Sequence, residues 1–277
     1  MAKKNMKVAV IGHSGMGGQA VVEQLLQRGH AVTGISIDAD KVPAQSGLSN
    51  VQLDILHTSE LTNVLQGHDV VVSVFSGGHA VDLSVYYLQI EGTRSMIKAV
   101  RDAEVPYFIY VGGAASLYVK PGLQMFDDPR FPTWYFGVQP PAHLRWLGEI
   151  TGETFFFEAA DRKENGSIAP GASDPFLEEC IKDWRKVPLL EGCRIALELF
   201  EDKSSFQWSF LSPPWMYRPG PGTGQYELGV DFMIFKNGIP SGIDLPDLAL
   251  AIVDETENQR LIHKHWTVSG EQNNYGV

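Results

Sequence analysis

A short apolar run, Met6–Ile11 (MKVAVI), leads straight into Gly12-His13-Ser14-Gly15-Met16-Gly17-Gly18. Apolar residues then recur at helical spacing: Val21, Val22, Leu25 and Leu26. Gly12, Gly15 and Gly18 form a G-x-x-G-x-x-G pattern. Glycine allows the tight turn and the close backbone approach that a pyrophosphate needs, and the following helix directs free N–H groups and its positive dipole end at the anion. A glycine triplet alone is weak; between a strand and a helix it reads as a dinucleotide site. The plainer alternative is a turn that only packs helix on strand. The loop has no lysine followed by Ser or Thr, so it is not a triphosphate P-loop.

Further strand-like runs follow at Ala31–Ile37, Val51–Leu53, Asp69–Phe75 and Pro106–Val111. Helical patterns over Gly15–Arg28, Ser59–Gln66 and Leu83–Ala103 separate them. This alternation predicts an α/β fold, a doubly wound parallel sheet of Rossmann type with helices on both faces. Residues 117–190 are rich in prolines and aromatics. Within them Gly148–Ala160 and Asp174–Arg185 are expected to be helical, and Asp161–Ser173 an exposed loop. The end of the chain predicts a helix over Leu190–Phe200, a strand over Phe206–Leu211, a break at Ser212-Pro213-Pro214, a helix over Leu245–Glu255 and a strand over Trp266–Val268. No linker stands out. One NAD(P)-binding domain over 1–277 is expected, with a partly helical insertion at 136–190.

Composition narrows the class. Thirty-three acids against twenty-two bases give a formal charge of −11, which opposes a general nucleic-acid binder. There is no apolar run of about 18 residues to span a membrane, and the start, Met1-Ala2-Lys3-Lys4-Asn5, lacks a signal-peptide pattern. Cys180 and Cys193 are too few for a disulfide framework or a four-thiolate zinc site. The expectation is a cytoplasmic enzyme acting on a small molecule.

At the end of the second strand, Asp38 follows Gly18 by 20 positions. An acid at that offset binds the adenosine ribose hydroxyls and repels a 2′-phosphate, and no arginine lies nearby. NAD(H) is therefore favoured over NADP(H). Turns also favour aspartate for its own sake, which is the competing reading.

The order KVAVIGHSGMGG, GHAVTGISID, LDI, GHDVVVSVFSGG, YVGGAASL resembles the atypical short-chain dehydrogenase/reductases with an NmrA-like or NADH-flavin-reductase-like Rossmann domain. The segments FLSPPWMYRPGPGTGQYELGVDFMI and DLPDLALAIVDETEN extend the resemblance to about residue 270. It implies that Gly12, His13, Ser14, Gly15, Met16 and Gly18, with Gly17 between, hold the pyrophosphate. Asp54 and Ile55 would lie at the adenine, and Phe75, Ser76 and Gly77 along the dinucleotide. Gly112, Gly113 and Ala114 would approach the nicotinamide, with Ser212, Pro213 and Pro214 near it. Many relatives carry an arginine near the end of the second strand, where this chain has Ile37. The segment from Tyr135 to about Leu190 has no recognised counterpart.

Short-chain dehydrogenases pair a tyrosine with a lysine four residues on. Here Gln139 follows Tyr135 and Gly122 follows Tyr118 at that distance. Ser116 and Tyr135 are the candidate catalytic residues that remain. Hydride transfer to a flavin, quinone or related conjugated acceptor demands less of the protein, which mainly positions acceptor against cofactor. Flat acceptors want aromatic walls, so Trp134, Tyr135 and Trp215 are candidate substrate residues, with core packing as the alternative. His143, with Arg145, is a candidate for an anionic substrate or for acid–base work. His263 and His265 are too sparse a pair for a metal site. The expected function is an NAD(P)H-dependent reductase of a small conjugated acceptor. A cofactor-retaining isomerase or lyase, or a redox-sensing regulator, are the rival readings.

Overall fold

The computed structural model describes residues 5–270. Eight strands form the central sheet: β1 (Lys7–Ile11), β2 (Ala31–Ser36), β3 (Leu48–Gln52), β4 (Val70–Ser73), β5 (Tyr107–Val111), β6 (Trp208–Leu211), β7 (Glu227–Val230) and β8 (Lys264–Ser269). Their order across the sheet is β3-β2-β1-β4-β5-β6-β8-β7. Every neighbouring pair is parallel except the edge pair β7 and β8. Eight helices accompany them: α1 (Met16–Gln27), α2 (Thr58–Leu65), α3 (Leu83–Asp102), α4 (Pro141–Thr151), α5 (Thr154–Glu164), α6 (Pro175–Ile181), α7 (Pro188–Glu198) and α8 (Leu245–Asn258).

The period-two rule of strands divides the core. Along β1, Val8 and Val10 face one layer, with Val21, Leu25 and Ile252 of α1 and α8. Ala9 and Ile11 face the other, with Leu61, Met96, Val100 and Leu197 of α2, α3 and α7. With both faces covered, these strands read as continuous apolar runs. A third cluster gathers Leu117, Phe131, Tyr135, Phe136, Leu144, Phe156 and Leu177, mostly from residues 114–187.

That third region departs from the sequence reading. Gly152 takes φ +77°, ends α4 and splits the expected Gly148–Ala160 helix in two. Helix α5 then extends to Glu164, into the stretch read as loop. Three of its prolines are helix starts: Pro141, Pro175 and Pro188 each open a helix, where a missing N–H costs nothing. The buried Asp174 caps α6 by accepting from Phe176 N (2.9 Å) and Leu177 N (3.2 Å), and its other oxygen accepts from Arg162 Nε of α5 (2.8 Å). Residues 133–137 form one π-helical turn and β7 one strand, neither of which the sequence suggested.

A buried tie joins β5 to α8. The Tyr107 hydroxyl donates to Glu255 Oε1 at 2.5 Å, and the same oxygen accepts from Leu261 N at 2.8 Å. Burial first, then the Glu255 contact, pushes the Tyr107 hydroxyl well above its ordinary range, so it remains a donor. Tyr107→Phe removes a hydrogen bond to a charged group and is expected to destabilise the fold by about 1.5–3 kcal/mol, read from the midpoint of urea unfolding.

Candidate active site

Strands are added to the sheet in one direction from β1 to β3 and in the other from β4 onward, so the order of addition reverses between the parallel strands β1 and β4. The crevice at the carboxyl ends of these strands is the ligand position of open α/β sheets. The glycine loop lies there. Gly12 takes φ +81°, and a Cβ on it would sit 2.9 Å from the Val74 carbonyl oxygen and 3.1 Å from Phe75 Cα. A Cβ on Gly18 would run into the Gly12 carbonyl oxygen. Both positions need the missing side chain so that loop, helix and the end of β4 can close up. Gly15 differs, since its Cβ would meet only Gly12 O, at an ordinary 3.5 Å. It is exposed and is the N-cap of α1, with no side-chain cap and no acid in the first turn. The first turn of α1 thus carries no carboxylate of its own, at a loop exposed at Gly15 and Met16. These features fit the pyrophosphate of a dinucleotide.

The neighbouring loop side chains serve the scaffold. His13 is buried, its ring lies against Gly34, and its Nε2 pairs with Asn50 Oδ1 at 3.1 Å. Ser14 Oγ donates to Asp38 Oδ1 at 2.6 Å, tying the loop to the end of β2. That bond is the main reason the Asp38 carboxyl is held below its usual range. Asp54 accepts from Leu56 N at 2.9 Å in the turn after β3. The Ile55 side chain is buried in the core that Phe75 packs against, and its carbonyl accepts from Ser95 Oγ.

Two polar ties that the sequence reading missed position the later loops. Gln89 of α3 is fully buried. Its Oε1 accepts from Gly77 N (2.7 Å) and its Nε2 donates to the Tyr110 hydroxyl (2.7 Å), which also pairs with Thr93 Oγ1 at 2.7 Å. A polar Gln and Thr on the inner face of an amphipathic helix were the available signal. The second tie starts at Ser116, which is also fully buried. Its Oγ donates to the Gly113 carbonyl (2.7 Å) and pairs with Ser212 Oγ (2.7 Å). Ser212 Oγ in turn meets His265 Nε2 at 2.9 Å, and His265 Nδ1 lies 3.4 Å from Asp231 Oδ1. Ser116 therefore joins the Gly112-Gly113-Ala114 loop to Ser212-Pro213-Pro214. It acts as a positioning residue between two loops. His263 is engaged separately, with its Nε2 on the Phe206 carbonyl at 2.9 Å.

Three of the four candidate substrate residues come together. Tyr135 is fully buried and stacks on Trp215, with ring centroids 4.2 Å apart and planes at 25°. His143 of α4 meets Trp215 edge-on at 6.3 Å. Trp134 turns elsewhere, between the Arg130 guanidinium (4.1 Å) and Phe235 (5.2 Å). Among the described residues, Tyr135 Oη, His143 Nε2 and Trp215 Nε1 are buried without a hydrogen-bond partner. Each unmet polar group of this kind costs about 1–3 kcal/mol. Burial holds the Tyr135 hydroxyl protonated. Burial first, then the nearby Arg218 charge, lowers the His143 imidazole to about 3, so it is neutral at physiological pH. The cation beside His143 is thus Arg218; Arg145 instead pairs with Asp161 and Glu164 on the surface.

A profile described as NAD(P)H-binding matches residues 12–136. The Bacillus subtilis protein YwnB is 27% identical, over 96% of this chain and 99% of its own. Among solved structures, a Bacteroides thetaiotaomicron protein provisionally called an epimerase matches with TM-score 0.69 and 26% identity, over 97% of this chain and 99% of its own. A Streptococcus pneumoniae protein provisionally called an NADH-flavin reductase matches with TM-score 0.68 and 22% identity, over 96% and 100%.

The loop geometry separates its glycines. Gly15→Ala is expected to cost no more than about 1 kcal/mol of stability, yet weaken dinucleotide binding about tenfold or more, because the methyl group occupies the anion's side. Gly18→Ala is expected to lose about 1–3 kcal/mol of stability outright. Calorimetric titration beside thermal melts distinguishes the two. His143 supplies a pH test. Its folded-state value lies below the unfolded one, so the unfolded chain binds the extra proton and stability falls as pH drops from about 6.5 towards 3. His143→Gln is expected to flatten that part of the stability–pH curve.

Proposed function

We propose that this chain, whose residues 12–136 match an NAD(P)H-binding profile, is an atypical short-chain dehydrogenase/reductase that reduces a small conjugated acceptor, a flavin, a quinone or a related aromatic. The observation that carries the reading is the uncapped start of α1 behind Gly15, set at the β1–β4 crevice. Residues Gly12–Gly18 would hold the diphosphate, and the Gln89 and Ser116 ties would hold the loops beside the nicotinamide. When bound, the nicotinamide supplies a hydride. The protein's own residues orient the acceptor and exclude water, with the Tyr135–Trp215 stack as a flat wall. Proton supply from water suffices for such an acceptor, because charge delocalises over its ring. Epimerisation, the activity named for the Bacteroides protein, needs a base at a carbinol. Tyr135 is poorly suited to that, being buried, protonated and followed four positions later by Gln139, whose amide donates to the Trp134 carbonyl at 3.1 Å.

NADH is the preferred cofactor on this reading. The Asp38 carboxylate stands at the end of β2, where a 2′-phosphate would meet its charge. Oxidation of NADH followed at its own absorbance is expected with at least one flavin or quinone of a broad panel. Cofactor binding without turnover of any acceptor would end the reductase reading. In fluorescence titrations NADH is expected to bind more tightly than NADPH, and Asp38→Asn is expected to narrow the gap several-fold. Tighter NADPH binding by the unaltered protein would reverse the assignment.

A further inference from the structure

We propose that Tyr135 Oη and Trp215 Nε1 form a hydrogen-bond donor pair for a carbonyl oxygen conjugated to the ring of the acceptor. The inference rests on the reductase reading and makes it more specific. Trp215 Nε1 is a donor only, and the buried Tyr135 hydroxyl is kept protonated. Both are withdrawn from solvent and lack a partner among the described residues. They come from separate segments, the 133–137 turn and the stretch that follows Ser212-Pro213-Pro214, and their rings stack. His143, from a third element, adds a neutral ring whose Nε2 is likewise unpartnered. Buried polar groups in native proteins are normally satisfied, by protein, ordered water or ligand. Among the unmet atoms of this structure, Tyr135 Oη, Trp215 Nε1 and His143 Nε2 are distinguished by belonging to three rings in contact at Trp215. Two neutral donors suit an uncharged oxygen that gains charge during the reaction, as preorganised donors do at developing oxyanions. In that reaction two electrons and one proton pass to the acceptor as a hydride from the reduced nicotinamide. A second proton comes from water and the nicotinamide is oxidised; a quinone's two carbonyls become hydroxyls, whereas a flavin gains hydrogen on two ring nitrogens and keeps its carbonyls, with negative charge spread onto them during the transfer.

The sign of the stability effect separates this role from a structural one. Groups that support the fold lose stability when removed, whereas groups awaiting a ligand do not. Tyr135→Phe and Trp215→Phe delete one donor each and keep an aromatic ring. Binding of a 1,4-naphthoquinone and of riboflavin is measured by calorimetry, without cofactor, alongside Tm and NADH affinity. The expected result is an unchanged or raised Tm, unchanged NADH affinity, and roughly three- to tenfold weaker binding of the acceptor per deleted donor. Whichever of the two compounds shows the loss identifies the source of the carbonyl. Acceptor affinity unchanged in both variants, no binding of either compound to the unaltered protein, or a lowered Tm in both variants would overturn the donor pair. If binding weakens as expected while neither compound is turned over with NADH, the donor pair stands and the reductase reading falls.

Discussion

The contact on which the molecule turns is backbone against backbone. Gly12 lies under the Val74 carbonyl, and Gly18 lies on the Gly12 carbonyl. Two main-chain hydrogen bonds hold the arrangement from either side, Gly12 N to Ile35 O and Val74 N to Ile11 O, each 2.8 Å. The loop is therefore clamped between β2 and β4, and the direction of α1 follows from it. An added methyl at either glycine would push helix from sheet. Gly15, which makes no such contact, faces the other way. Packing thus explains two members of the motif and leaves the third for a ligand.

Polar groups at the crevice are only partly satisfied within the protein. Near the glycine loop, two buried ties are complete, while among the described residues His13 Nδ1, Ser36 Oγ and, beyond Ser212, His265 Nδ1 have no hydrogen-bond partner. Gln89 holds Gly77 and Tyr110, and Ser116 holds Gly113 and Ser212. Such satisfied networks rigidify loops and keep them in one geometry before a ligand arrives. In the third cluster, Tyr135, His143 and Trp215 are likewise buried with polar atoms unmet. A ligand or an ordered water satisfies such atoms.

The sheet was legible in the sequence because its strands are buried on both faces and its helices are amphipathic. Runs such as Val70–Ser73 admit few other readings. Strand β7 escaped because three of its four residues are exposed, leaving no alternation to read. The 117–190 region misled for a different reason: proline marks helix starts as well as breaks, and only the structure shows that Pro141, Pro175 and Pro188 do the former. The glycine loop was readable from spacing. The Gln89 and Ser116 ties were not, since both join residues far apart in the chain, and His265 looked like half of a sparse surface pair. Tyr135 and Trp215 could be suspected as aromatics near prolines. Their stacking, 80 positions apart, could not.

The separation of cores explains how a familiar cofactor fold carries an unfamiliar pocket. The two clusters on the sheet faces contain the residues that fix the glycine loop and the strand order. The third cluster is built mainly from residues 114–187 and meets the sheet region through the segments that follow β5 and β6, at Ala114, Leu117 and Trp215. Its helices have their own caps, with Asp174 and Arg162 joining α5 to α6. A segment that packs largely on itself can be rewritten without disturbing the sheet, because distant sites contribute to stability almost independently. The surroundings of Tyr135, His143 and Trp215 are then free to change while the glycine loop stays constrained by the close approach of Gly12 and Gly18. It follows that cofactor binding can be argued from the fold, whereas acceptor chemistry must be argued from Tyr135, His143 and Trp215 themselves.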